Sequence, residues 1–219
     1  MGQPWAVPAH QPTRLFRENL VMESIANITQ LHRQLCAKWH CQPVDNPYDG
    51  LLGLVCQQFS FNFLLWHEED IARSRDVTAE RIAEVKRAID GYNQKRNDYI
   101  EKIDDWITEE LGRGSIVPRG DARQNTETAG SAIDRLSILT LRIYHLEEQR
   151  DRADATAEHR QNVTGKLAIA LAQFDDLSRS AQELLDELFA GRKRHKTYRQ
   201  LKMYNDPTMN PYLYKAQQK

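Results

Sequence analysis

The chain has 219 residues, 40% of them hydrophobic and 28% charged, with 30 basic and 31 acidic side chains and a formal net charge of −1. That length and apolar content fit one domain with a substantial core, and no Gly/Ser/Pro-rich linker divides it. The balanced charge argues against a dedicated nucleic-acid binder. The three cysteines, Cys36, Cys41 and Cys56, make no disulfide framework and predict a reducing, cytoplasmic setting.

Residues 1–12 carry Pro4, Pro8 and Pro12. They predict a disordered N-terminal tail without a signal-peptide pattern. With Thr13 as N-cap, a first helix over residues 15–39 presents Leu20, Ile25, Ile28, Leu31 and Leu35 on one face. Asn46-Pro47-Tyr48 breaks the chain, because a residue before proline avoids the helical region. A second helix over 49–75 is apolar nearly all round in its first half, and so central. It turns polar at Trp66-His67-Glu68-Glu69-Asp70. Its apolar part, 51–66, is interrupted by Gln57, Gln58, Ser60 and Asn62 and is too short to span a bilayer.

A long helix over 78–111 carries two stripes. Ile82, Val85, Ile89, Tyr92, Tyr99, Ile103 and Trp106 form an apolar seam, interrupted by Arg96. One position on, Asp90, Asn93, Asn97, Glu101 and Asp104 repeat the same spacing. At about 100° per residue this polar row borders the core, where carboxylates are uncommon. Gly112 and Gly114 end the helix, and 112–125 reads as a flexible loop.

A fourth helix over 128–152 has Ile133, Leu136, Leu139, Ile143 and Leu146 on its apolar face. Asp134, His145 and Glu148 are set among apolar neighbours. A fifth, over 155–190, buries Leu167, Leu171, Phe174, Leu177, Leu184, Leu185 and Leu188, with Gly165 a weak point and Gly191 its end. The basic run 192–196 reads as a solvated helix C-terminus. The tail over 201–219 is aromatic and predicts packing back onto the bundle. No strand pattern is present. The fold expected is all-α: an antiparallel bundle of four to five long helices over 13–200, with an ordered C-terminal tail.

Several segments resemble an uncharacterised bacterial family, the domain of unknown function numbered forty-two fifty-four. They are Trp66-His67-Glu68-Glu69-Asp70, Lys86-Arg87-Ala88-Ile89-Asp90 with Asn93-Gln94, Thr126-Glu127-Thr128, Ile133-Asp134-Arg135-Leu136-Ser137-Ile138-Leu139, Ile143-Tyr144-His145, and Lys202-Met203-Tyr204-Asn205-Asp206-Pro207 with Asn210-Pro211. The resemblance covers residues 46–214 and brings no activity with it. It implies an association with genes for glycosyltransferases and cell-envelope polysaccharides.

Two constellations can carry chemistry. His67 with Asp70, and His145 with Glu148, are i, i+3 pairs that share a helical face. With Glu101 or Asp104 they would form a carboxylate–histidine site for a divalent metal. The other constellation is basic: Lys86, Arg87, Arg96, Arg135, Arg142 and Lys202 lie in or beside the family-like segments. Arg96 needs a partner, either a carboxylate such as Asp134 or Glu127, or the phosphate of a ligand. The stripe His32, Cys36 and His40 spans about 12 Å, too far for one metal ion, and reads as structural. No glycine-rich phosphate loop or nucleophile elbow is present.

The candidate polar site is therefore His67, Asp70, Asp90, Asn93, Asn97, Glu101, Asp104, Glu127, Asp134, Arg135, His145, Glu148 and Lys202. It would bind or process a small anionic metabolite, such as a phosphorylated sugar or nucleotide-sugar of cell-envelope glycan metabolism, with a divalent metal as a possible cofactor. One carboxylate would act as general base, with Arg135 or Lys202 on the phosphate. The alternative is a non-catalytic accessory module for envelope glycosyltransferases, its polar residues fixing helix register. The heptad-like seam of the long helix is also compatible with a homodimer.

Overall fold

The computed structural model describes residues 22–216, so the expected N-terminal tail lies outside the described residues. A first helix continuous from residue 15 is corrected: Ser24 is extended and caps a helix that begins at Ile25. Five long helices follow in order: α1 Ile25–Trp39, α2 Gly50–Ala72, α3 Ala79–Arg113, α4 Ala129–Asp151 and α5 Ala157–Phe189. A short α6, Pro211–Ala216, lies in the tail. Four of the five begin at a hydroxyl N-cap. Ser24 accepts from the Asn27 amide, Thr78 from Arg81, Thr128 from Ser131 and Thr156 from His159. Each cap satisfies an amide that the first helical turn leaves without a carbonyl. Gly165 does not interrupt α5.

The central helix is α2, and its apolar residues explain why. Val55, Cys56 and Phe59 are fully buried in the main core, which also holds Ile103 and Ile107 of α3. Helices α2 and α3 run antiparallel. Glu68, near the end of α2, lies 3.9 Å from Arg81 at the start of α3, while Phe61 meets Tyr92 and Tyr99 midway. Beyond the main core this hairpin has a small core of its own, Leu65, Val85 and Ile89. Helix α4 approaches α3 closely at Gly130, where an added Cβ would lie 2.6 Å from the Ile100 carbonyl oxygen.

Two more expectations are corrected, the absence of strands and the burial of Leu171. Arg123–Gln124 (β1) and Lys193–Arg194 (β2) form a two-residue parallel ladder. The loop 112–125 and the basic run 192–196 therefore hold one another. Lys193 Nζ donates to Asn125 Oδ1 at 3.1 Å and Arg194 Nε to the Ala122 carbonyl at 2.9 Å. So short a ladder has no alternation for a sequence pattern to reveal. Leu171 is exposed, because the buried face of α5 passes through Val163, Leu167, Ala170 and Phe174 instead.

The tail runs back along α3. Arg199 bridges Glu101 at 3.1 Å and Asp105 at 2.8 Å, and Asn205 Nδ2 donates to Gln94 Oε1 at 3.0 Å. No helix among the described residues is long and apolar enough to cross a membrane.

His32 is fully buried beside Phe59, with ring centroids 4.8 Å apart. Neither of its nitrogens has a hydrogen-bond partner among the described residues. Burial holds its pKa down at about 3, against an ordinary 6.5. Between those values the unfolded chain takes up a proton that the native state refuses. Stability therefore falls as pH drops below 6.5, by about 1.4 kcal/mol per pH unit from this group. His32→Leu should remove that part of the acid sensitivity. At neutral pH it should stabilise the fold by about 1 kcal/mol, because a buried polar group without a partner is lost. Urea denaturation from pH 7 to pH 4 measures both effects.

Candidate functional site

The sequence register places the polar residues along one interior edge. In the fold they separate into distinct places. The deepest is Asp134 on α4, which is 5% exposed. Its Oδ1 accepts from Gln58 Nε2 at 2.6 Å and from Asn62 Nδ2 at 2.8 Å, both on α2. Asn62 also donates to Ser137 Oγ at 2.7 Å, and Ser137 donates to the Asp134 carbonyl. Arg96 of α3 brings its Nε to 3.4 Å from the same Oδ1. Burial raises the Asp134 pKa above the usual carboxylate range, with Arg96 and Asn62 opposing. Of the two carboxylates the sequence offered Arg96, Asp134 is the one in place, as a member of a junction of three helices.

Asp104 makes a second joint. Buried in α3, it accepts from the Gly130 amide at 2.8 Å, and His195 Nε2 donates to its carbonyl oxygen at 2.8 Å. The remaining residues of the polar row serve other contacts. Asp90 pairs with Lys86 on the surface, and Arg135 pairs with Glu127 at 2.7 Å. Glu101 holds the tail through Arg199 and through the Gln200 amide at 2.7 Å. Lys202 Nζ reaches the Asn93 carbonyl at 3.4 Å, and Asn97 is buried in α3.

A cavity of about 340 Å³ opens where the α2–α3 hairpin parts from α4. Asn62, Trp66, Asn93, Arg96, Ile138 and Leu141 line it, and the exposed residues Asp70 and Arg73 stand at its rim. The Arg96 side chain is 28% exposed. Its Nε is buried yet makes no hydrogen bond among the described residues. A larger groove of about 630 Å³ lies between α4 and α5, beside Arg135, Arg142 and Asp176.

On the far side of Trp66, three helices bring three histidines together. His40 caps the C-terminus of α1, His67 belongs to α2 and His145 to α4. One ring nitrogen from each lies within 4.8 Å of the other two. The rings are tied down. His40 Nδ1 lies 2.7 Å from the Cys36 carbonyl, and His145 Nδ1 lies 2.7 Å from Glu148 Oε2. Both oxygens can only accept, so both Nδ1 atoms donate, and each Nε2 of the neutral ring keeps a free lone pair. Neither of these buried Nε2 atoms has a hydrogen-bond partner among the described residues. Burial, helped by His40 and His145, holds the His67 pKa below its ordinary value. Cys36 is no competing nucleophile: burial first, with Glu148 and Glu147, pushes its thiol up to about 12.

Aromatic rings enclose the cluster. Trp66 stacks on His145 at 4.9 Å and 11°, and Tyr144 stacks on His40 at 4.1 Å and 20°. Phe63 meets His67 edge-on at 4.5 Å and His40 at 5.0 Å. His67 and His145 are among the residues singled out from sequence, and His40 is the one that the reading of the His32 stripe set aside. Asp70 is exposed at the cavity rim, and Glu148 orients His145 instead of facing the cluster. One sequence signal could have found all three. Each follows an aromatic residue, in Trp39-His40, Trp66-His67 and Tyr144-His145.

A family model described as a protein of unknown function, DUF4254, matches residues 52–197. The matched stretch holds His67, Arg96, Asp134 and His145, and His40 precedes it. No curated protein and no solved structure matches the chain.

Asp134→Ala should destabilise the protein by about 3–5 kcal/mol, because it leaves Arg96 half-buried without its carboxylate and takes a shared acceptor from the buried Gln58 and Asn62 amides. Asp134→Asn keeps an acceptor oxygen and should cost less. Chemical denaturation of the two variants gives the comparison, and equal losses would contradict the junction.

Proposed function

The chain belongs to the DUF4254 family, and we propose that it binds or processes a small phosphorylated sugar in the cavity between α2, α3 and α4. One observation carries this reading. Arg96 lines the cavity with a guanidinium whose Nε lacks a hydrogen bond among the described residues, and its nearest carboxylate, Asp134, already accepts from two amides. A guanidinium offers five N–H donors in a planar fork, which suits a phosphate oxygen pair. Trp66 supplies a flat apolar wall for a sugar ring, and Asn62 and Asn93 supply amides for its hydroxyls. At about 340 Å³ the cavity has room for a sugar phosphate, and a nucleotide-sugar would extend past the rim at Asp70 and Arg73.

The association with cell-envelope polysaccharide genes that the resemblance implies supports a sugar ligand of glycan metabolism. Three free cysteines support a cytoplasmic setting. The second reading, an accessory module for envelope glycosyltransferases, is favoured by the exposed apolar side chains of the tail, among them Leu201, Met203 and Tyr212.

Isothermal titration calorimetry with glucose 1-phosphate, a uridine diphosphate sugar and inorganic phosphate tests the proposal. The wild type should bind a sugar phosphate, and Arg96→Lys should weaken that binding by about tenfold or more, since lysine keeps the charge and loses the fork. Arg119→Lys, an exposed site remote from the cavity lining, should leave it unchanged. Absence of binding by folded wild type, or binding indifferent to Arg96→Lys, overturns the reading. Co-purification with an envelope glycosyltransferase would then favour the accessory module.

A further inference from the structure

The geometry points to a divalent transition-metal site formed by His40, His67 and His145, with one coordination position left for water or an anionic oxygen. This goes beyond the sugar-phosphate reading and does not rest on it. The site draws its ligands from the end of α1, from α2 and from α4, so it exists only in the folded chain.

Three observations carry it. The first is convergence. The three ring nitrogens lie within 4.8 Å of one another, against about 3.4 Å between ligand nitrogens in a tetrahedral site with bonds near 2.05 Å. Small side-chain rotations close that difference. The second is preparation of the donors. His40 and His145 each give Nδ1–H to an oxygen and present an unpartnered, buried Nε2. Metal-bound imidazoles are held in this way, the outer nitrogen bonded to a carbonyl or carboxylate that fixes tautomer and orientation. Glu148 is therefore a positioning residue: it touches His145, not the metal. The third is the enclosure. Trp66, Tyr144 and Phe63 pack against the imidazoles and restrict their rotation.

The donor set selects the ion. Three neutral imidazoles suit zinc, cobalt, nickel or copper, and they offer nothing to magnesium or calcium, which take oxygen ligands. Zinc is the ion we assign. Three protein nitrogens leave a tetrahedral zinc one position short, the arrangement of sites that bind an exchangeable water. Glu68, Glu69 and Asp70, close in sequence to His67, are not among the converging ligand atoms, so the site differs from a carboxylate-bridged two-metal centre.

The test uses the full chain without a polyhistidine tag, freed of metal by chelation and dialysis, and titrated with zinc, cobalt and magnesium salts. Zinc and cobalt should bind at one equivalent and magnesium should not. The cobalt-loaded wild type should show the intense visible bands of a tetrahedral ion. Its proton spectrum should contain hyperfine-shifted, exchangeable Nδ1–H signals from His40 and His145. His40→Ala and His145→Ala should each abolish tight binding, with circular dichroism to verify that they fold. Glu148→Gln changes an exposed side chain and keeps all three imidazoles, so it should fold and bind zinc about tenfold more weakly. His159→Ala removes a histidine that is not among the converging ligands and should bind as the wild type does. Folded wild type that takes up no zinc, cobalt spectra without shifted imidazole protons, or zinc affinity unchanged in Glu148→Gln and in folded His145→Ala would each overturn the assignment. Failure of sugar phosphates to bind leaves it standing, and failure of zinc to bind leaves the sugar-phosphate reading standing.

Discussion

The burial of one carboxylate sets the register of three helices. Asp134 cannot stay in the interior without donors, because an ion taken out of water loses several kcal/mol of hydration. Its donors are Gln58 and Asn62 on α2, and Arg96 on α3 places an opposite charge 3.4 Å away. A slide of any of these helices by one turn, about 5.4 Å, would strand the charge. Apolar packing alone would tolerate that slide better, since α2 is apolar on most of its faces and fits its neighbours in several rotations. The junction therefore specifies one alignment among several that the hydrophobic effect would accept.

Both features with chemical potential depend on that alignment. The cavity is walled by α2, α3 and α4 beside the junction, with Arg96 and Asn62 shared between the network and the cavity wall. The histidine cluster lies further along the same two helices, at His67 on α2 and His145 on α4, eleven residues past Asp134 on the latter. Trp66 stands between them, stacked on His145 and also lining the cavity.

Much of the helical plan was legible from local chemistry. Thr78, Thr128, Gly114 and Gly191 mark real ends, because N-caps, a C-cap glycine and, at Gly191, a left-handed closure are decided within a few residues. The Arg96–Asp134 pairing was legible too, since a cation in an apolar seam has few acceptable partners. The site was legible only in pieces. His67 and His145 are recognisable as polar residues in apolar surroundings. Helical spacing paired each with the carboxylate on its own helix, Asp70 and Glu148, although the nearest imidazoles come from other helices. His40 was lost for a similar reason: its spacing from His32 and Cys36 describes α1, while its ring packs on Phe63 of α2 and Tyr144 of α4.

The sequence by itself determined the all-α class, the order and approximate extent of the long helices, and the presence of more polar residues along the core than a plain bundle needs. These follow from periodicity and capping, which act over a few residues. Tertiary structure alone decided that those polar residues form separate groups: a buried carboxylate junction, an α3–α4 joint at Asp104 and Gly130, a tail held by Glu101, and a triad of imidazoles. A helix shows which side chains share a face, but not which face of another helix meets it. That choice depends on the summed fit of every contact between the helices, and no local stretch of the chain carries it.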